Sequence, residues 1–451
     1  MSTIELGELP TADDDRGAPT GSARLDRRLV RQIALAVAVM LCAVSLTGSE
    51  VPRAHGLRPV WSVPIGEAQG TALSRDTLFV YRTANSTTTI AAHELATGAV
   101  RWQRTINGAI GYVQPADAAG MLLIPTDGQL VKLPSANDGS AFHAEVHGAT
   151  IALSVATGEE LWRTTGEPYT VAGDTALMTE FSTGAVLRGL RLIRLGDSST
   201  VWSRDTTGVR SYLSLPMNDR PDKVVTATDA GQIKIYSYAS GTLLSSATIP
   251  WVASRPEEGY FNDLTGTADV LVVNRSQAQQ FDMTIYRTDT MAELWRASET
   301  DGYAFACGTA LCLSQGEAVV AYDPATGARR WRLDGVVTAW QLSADRVVTG
   351  AGADIGPMQL VDSGTGKVVG EPVEGSLASD ETAGDGAGRS VFVLRPTTAP
   401  EGRTAVTRWD LDTGRQWLLG SIAPVAGPPC SVRPGYLACN RGDSFEVIAV
   451  G

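Results

Sequence analysis

His143-Ala144-Glu145-Val146-His147 places two imidazoles around a carboxylate, and on a helix or a strand both His fall on one face, where they could hold a metal ion with Glu145. The segment lies in an insertion that runs into a predicted strand, and we read it as a solvated loop. Two cysteine pairs, Cys307 with Cys312 and Cys430 with Cys439, each straddle a predicted turn between neighbouring strands. In an exported domain such neighbours come within bridging range, so we expect disulfides 307–312 and 430–439; a metal site without nearby His and free thiols are the alternatives. Cys42 lies in an apolar run and reads as a small hydrophobe. Ser363-Gly364-Thr365-Gly366-Lys367 lacks the spacing and terminal Ser/Thr of a phosphate loop. Arg441-Gly442-Asp443 has the letters of an adhesion tripeptide but sits where a strand turn is required. Asp323 and Asp412 precede Thr-Gly and read as turn formers.

These residues belong to an acidic chain, with 37 Lys and Arg against 49 Asp and Glu and a net charge of -12, which disfavours a nucleic-acid partner. Only four of the basic residues are Lys, at positions 132, 223, 234 and 367. The 43% hydrophobic content supports a globular bulk, and 47 Gly with little long helical periodicity lean towards β structure.

Residues 1–23 carry five acidic residues, Pro10 and Pro19 but little apolar surface, and are expected to form a disordered cytoplasmic tail. Residues 24–48 hold a basic flank, Arg24, Arg27, Arg28 and Arg31, and then an apolar run. Leu29 to Thr47 is 19 residues, about 28 Å as a helix, enough to span a bilayer if Arg31 reaches the interface. Basic residues on its amino-terminal side keep that terminus in the cytoplasm and export the rest. A cleaved signal peptide is the rival reading, because small residues follow at Ser45 to Ser49. We expect a single-pass cell-membrane protein with residues 49–56 as a linker and everything from residue 57 outside the cytoplasm.

Residues 57–451 are organised by a repeat. Ala321-Tyr322-Asp323-Pro324-Ala325-Thr326-Gly327-Ala328-Arg329-Arg330-Trp331 reads as a strand, a turn and a strand bearing Trp, and the Gly-to-Trp spacing recurs at Gly98 to Trp102 and Gly158 to Trp162. Gly414 to Trp417 is one residue shorter. Gly supplies positive φ in the turn, the small polar residue before it satisfies turn amides, and Trp fills a gap between sheets. Several short strands per period of roughly 36 to 60 residues mark propeller blades. The carboxy-terminal half unit ending at Val450 lacks an outer strand that the Trp61 segment can supply. The strict count is eight full units plus the shared one; because a ring of nine is unusual, we expect an all-β, eight-bladed propeller, with seven and nine as alternatives.

The hydrophobic strand followed by Asp-x-x-Thr-Gly-x-x-x-Trp, as in Asp323 to Trp331, resembles the PQQ-like propeller superfamily, which includes quinoprotein dehydrogenases and BamB-like assembly factors. The resemblance covers roughly residues 57–451. It implies the fold, and, through the BamB-like members, protein partners in envelope assembly. The dehydrogenases carry a disulfide between adjacent Cys, a catalytic Asp and Ca²⁺ ligands; no two Cys are adjacent here. We therefore assign no catalytic, cofactor-binding or metal residue and no cofactor. The expected function is a non-catalytic binding or scaffold module with protein partners on a propeller face. The alternatives are a ligand sensor signalling to the tail and a PQQ-type oxidoreductase.

Overall fold

The computed structural model describes residues 56–65, 70–134, 141–182, 186–217, 220–255, 259–277, 280–300, 302, 304–350, 357–378, 390–426 and 430–451. The predicted tail, the basic flank with its transmembrane helix, and the linker up to residue 55 lie outside these. No helix among the described residues is long and apolar enough to cross a membrane.

The described residues form nine four-stranded antiparallel sheets. Eight follow the chain in order: blades I (70–107), II (114–165), III (167–205), IV (209–248), V (261–300), VI (304–334), VII (338–374) and VIII (376–422). Blade IX takes three strands from the carboxy-terminal end, Ser431–Arg433, Tyr436–Asn440 and Ser444–Val450. Its fourth, outer strand is Leu57–Pro64, which pairs antiparallel with Ser444–Val450. The count corrects the expected eight. No repeat was spurious; the copies that look weak lack Trp or Gly but are complete sheets.

Nine buried hydrophobic clusters lie between the sheets, one at each junction. Phe79, Ile90 and Trp102 of blade I meet Leu122 and Ile151 of blade II. The series ends where Ala438, Phe445 and Val447 of blade IX meet Leu73, Leu78 and Val80 of blade I. That last cluster closes the ring, and Arg433 crosses the same seam to donate to the carbonyls of Leu73 and Ser74.

The Trp and Gly of the repeat act between blades. Six outer-strand Trp each reach the turn joining the third and fourth strands of the next blade. Each Nε1 donates to the carbonyl three residues before the left-handed turn position, at 2.6 to 2.9 Å: Trp61 to Leu95, Trp102 to Val155, Trp162 to Leu195, Trp202 to Tyr238, Trp295 to Pro324 and Trp331 to Ser363. The indole then lies flat on the turn. A Cβ on Gly158 (φ +72) would stand 2.6 Å from Trp102 Cδ2, so this site needs Gly for space as well as for φ. A register shift in the outer strand, between the partners of Ala152 and Leu153 in blade II and of Ala321 and Tyr322 in blade VI, directs the Trp outward from its own sheet.

Two junctions use other residues. Ser245 occupies the Trp position of blade IV, and its hydroxyl donates at 2.5 Å to the carbonyl of Thr288, the equivalent acceptor in blade V. The left-handed residue there is Met291 (φ 56), whose buried side chain takes the volume an indole would fill. Between blades VII and VIII, Arg346 Nε donates at 2.6 Å to Leu411, again the equivalent carbonyl. Gly370 holds the Trp position and packs directly on the backbone of Gly414.

Trp417 departs from the expected role. Its strand lacks the register shift before Trp, so it pairs with Arg408 one residue early. It faces blade IX where that blade has no turn, since the chain's two segments meet there through Gly451 N donating to Gly56 O at 2.9 Å. Trp417 is accordingly 46% exposed, against 9% for Trp102.

Trp102→Ala should therefore cost about 3 to 5 kcal/mol in denaturant unfolding, whereas Trp417→Ala should stay within about 0.5 kcal/mol; equal losses would contradict the interlock. Ser245→Trp alone should destabilise by about 1 to 3 kcal/mol through overpacking on Met291. Adding Met291→Gly should restore much of that loss, read as a favourable coupling energy in a double-mutant cycle.

Candidate functional face

Because every sheet is antiparallel, the third-to-fourth strand turns lie at one end of the strands. The second-to-third hairpins and the connections between blades lie at the other. The interlock consumes the first end. Asp323 belongs to it: Oδ1 accepts from the amides of Ala325 and Thr326 and from Thr326 Oγ1, each at 3.0 Å, and Oδ2 from Arg330 at 2.7 Å. Hydrogen bonding from Arg330 first, then from Thr326, lowers its pKa to about 2 despite some desolvation. In blade VIII the equivalent carboxylate is Asp410, which accepts from Thr413 N and Oγ1 at 2.7 Å. Asp412 does not hold that turn; it sits two residues too late and contributes its amide to Asp410 at 3.2 Å.

The other cysteine and loop candidates also serve the frame. Cys307 and Cys312 are joined across the first hairpin of blade VI with Cα atoms 5.7 Å apart, and Cys430 and Cys439 across the first two strands of blade IX at 4.3 Å. All four are buried, and the pairs fall in the VI/VII and VIII/IX junction clusters respectively. Ser363 to Lys367 is the interlock turn of blade VII, with Thr365 bonded to Asp362. Arg441 is largely buried, bonded by Nε to Glu446 at 2.8 Å and by Nη1 to the Pro424 carbonyl at 3.1 Å, so the Arg-Gly-Asp tripeptide does not present its guanidinium.

The opposite end varies from blade to blade. In blade II the second and third strands, Met121–Pro134 and Ala141–Ser154, run 14 residues each and stay paired as far as Pro134 and Ala141. Their counterparts in blade VI have 6 and 5 residues. The predicted insertion is thus a long hairpin standing on this face. Leu130 on it is 74% exposed.

At the base of the hairpin His147 is 1% exposed, which overturns the reading of its segment as a solvated loop. Its Nδ1 lies 2.7 Å from Glu167 Oε2, which also accepts from the His147 amide at 3.0 Å; Nε2 lies 3.5 Å from Glu145 Oε1. Tyr112, on the connection into blade II, meets the imidazole edge-on at 5.6 Å. Burial first, and then the negative charge of Glu167, push the Tyr112 phenol far up. Among the described residues no three His, Cys, Asp or Glu are placed to hold a metal ion. Glu167 comes from the next blade, so only the Glu145–His147 half of this group has a local signal in the sequence.

A neighbouring stretch of the same face carries a second polar group, where the connection 205–208 enters blade IV. Arg204, just before the connection, reaches back towards the interlock end: its Nη2 donates to the carbonyl of Gly241 in the interlock turn of blade IV at 2.5 Å, and its guanidinium stands 5.8 Å above the Tyr236 ring. Asp205 Oδ1 accepts from Thr207 N at 2.7 Å and Thr207 Oγ1 at 2.6 Å. Nothing in the sequence singled these residues out, because they are scattered over two blades and match no motif.

Comparison with known proteins concurs with this architecture. Residues 86–283 match the family model described as outer membrane protein assembly factor BamB. No curated protein matches the sequence. Among solved structures, BamB from Moraxella catarrhalis is similar over 87% of this chain and 99% of its own, at 14% identity and a TM-score of 0.40. A eukaryotic initiation factor is similar over 81% of this chain and 90% of its own, at 11% identity and a TM-score of 0.53. A europium-containing methanol dehydrogenase is similar over 87% and 93%, at 12% identity and a TM-score of 0.41. At 11% identity the initiation factor speaks to the fold alone. Nine four-stranded sheets joined by a recurring Trp and Thr-Gly interlock make the described residues a β-propeller, and over residues 86–283 the chain is similar to the BamB family of PQQ-like propellers.

Proposed function

We propose that the chain is a membrane-anchored, extracytoplasmic, non-catalytic binding module that holds a protein partner on the face bearing the blade II hairpin. One observation carries this reading: two strands of 14 residues continue, still paired, beyond the part that the junction clusters bury, with Leu130 on the extension 74% exposed. A paired hairpin is stiff enough to present such a side chain to a partner at little ordering cost. The matched family model is described as an assembly factor, which is consistent with a role in holding other proteins.

Export is supported by two buried disulfides, a chemistry of oxidising compartments. The basic flank followed by 19 residues from Leu29 to Thr47 supports the anchor and its orientation.

Replacing residues 130–145 by Asn-Gly closes the hairpin at the opposed pair Gln129 and Val146 with a two-residue turn. Crosslinking from intact cells should then recover the partner at least about tenfold less well, as expected for loss of a central contact, with unfolding unchanged. Undiminished recovery would move the binding surface elsewhere. Alkaline phosphatase fused after Gly451 should be active in intact cells; an inactive fusion would contradict export.

A further inference from the structure

Where the outer strand of blade III passes into the inner strand of blade IV, a cavity of about 40 Å³ opens. It is lined among others by Arg204, Asp205, Thr206, Thr226, Thr228 and Lys234. Thr206 is 2% exposed, yet its Oγ1 has no hydrogen-bond partner. Stripping a hydroxyl of water without replacing its bonds is costly, so such a group marks a place where a partner is missing. Lys234 is half-buried, with neither an ion pair nor a hydrogen bond among the described residues. Lys223 of the same blade shows the usual arrangement, its ammonium bonded to the Ala268 carbonyl and, at 3.1 Å, to Thr288 Oγ1.

We propose that this cavity binds a carboxylate, with Lys234 as the charge and Thr206 Oγ1 as a hydrogen-bond donor. Charge and size select that group. The lining holds two cations, Arg204 and Lys234, and one carboxylate, Asp205, which leaves one positive charge unmatched in a chain whose net charge is -12. A singly charged anion balances it, whereas a phosphate dianion would face Asp205. Since one water-sized sphere needs about 10 to 15 Å³, the cavity has room for three atoms, a carbon and two oxygens. An ammonium and a hydroxyl directed at one carboxylate make short, charge-assisted bonds. On the partner-binding reading above, the carboxylate is an Asp or Glu side chain of that partner; this assignment of its source rests on that reading, while the carboxylate site stands without it.

The chain's four Lys make the test direct. The full-length protein is reductively dimethylated with ¹³C, which keeps each charge, and Lys234→Gln assigns the signal that disappears. Acetate, acetamide, inorganic phosphate and a blocked glutamate tripeptide are then titrated separately. Acetate and the tripeptide should shift the Lys234 signal to saturation, acetamide should not, and the signal of exposed Lys367 should not saturate. Thr206→Val, which keeps the shape and removes the hydroxyl, should weaken acetate binding about three- to tenfold while leaving the Lys223 signal in place. Unsaturable shifts shared by Lys234 and Lys367, or phosphate saturating below acetate, would overturn the proposal. Saturation by acetate without the tripeptide would support the site and assign it a free carboxylic acid instead of a protein group.

Discussion

The ring depends on one contact, a donor from one blade capping the turn carbonyl of the next, which at six of the nine junctions is an outer-strand indole lying on that turn. A propeller blade buries both faces, so its stability resides in the junctions more than in the sheet itself. The indole suits a junction because it fills volume and carries a single N–H that must be paired when buried. The turn supplies the complement: a flat surface, because Gly has no Cβ, and a carbonyl freed three residues earlier. Each half is useless alone, since the turn without Trp leaves a void and Trp without the turn leaves an orphaned N–H. Volume and polarity are matched together, and that pairing fixes each blade's rotation relative to its neighbour.

The exceptions show which half matters more. At the IV/V junction the carbonyl is still capped, by Ser245, and the void is still filled, by Met291 from the opposite side. At VII/VIII the carbonyl is capped by Arg346 and the void is removed by direct approach of Gly370 to Gly414. In both, the donor to the turn carbonyl is retained while the packing solution changes. A buried acceptor without a donor is penalised whatever surrounds it, whereas a void can be closed by many shapes. At VIII/IX the turn is absent because the chain's segments meet there, and Trp417 is left with no acceptor to find.

This explains how far the sequence could be read. The Thr-Gly turn and Trp lie within five residues of each other, and local spacing of that kind survives in the linear text. Blades, hairpins and the shared closing sheet were legible for that reason, as were the cysteine pairs, each astride one turn. Ser245, Met291 and Arg346 were not, because each does part of an indole's work through a residue type with no signature: Ser245 and Arg346 cap acceptors 43 and 65 positions away, and Met291 fills the void. The expectation of eight blades rested on nine being an unusual ring, with one weak copy discounted. His147 was misread for a related reason, since Glu167, which buries and pairs it, comes from the next blade. Asp412 in place of Asp410 shows the limit of local pattern itself. Asp412 abuts Thr413-Gly414, whereas the carboxylate that holds the turn stands four residues before the Gly, Asp410 before Gly414 as Asp323 before Gly327.

The two ends of the strands therefore face different constraints. At the turn end almost every residue that looks capable of chemistry is already occupied. Asp323, Asp362 and Asp410 hold turns, and their Thr neighbours cap amides. A substitution there alters two blades at once, so this end has little freedom to acquire a ligand. At the hairpin end a blade can lengthen its own strands without touching a junction, as blade II does. The connection 205–208 can likewise leave the Thr206 hydroxyl unpaired at a cost confined to one loop. Such local costs are borne where they serve something outside the ring, and so the irregular end is where binding is expected. The same reasoning explains why the sequence announces its architecture and conceals its ligand: repetition writes the frame many times, while the groups that depart from it occur once.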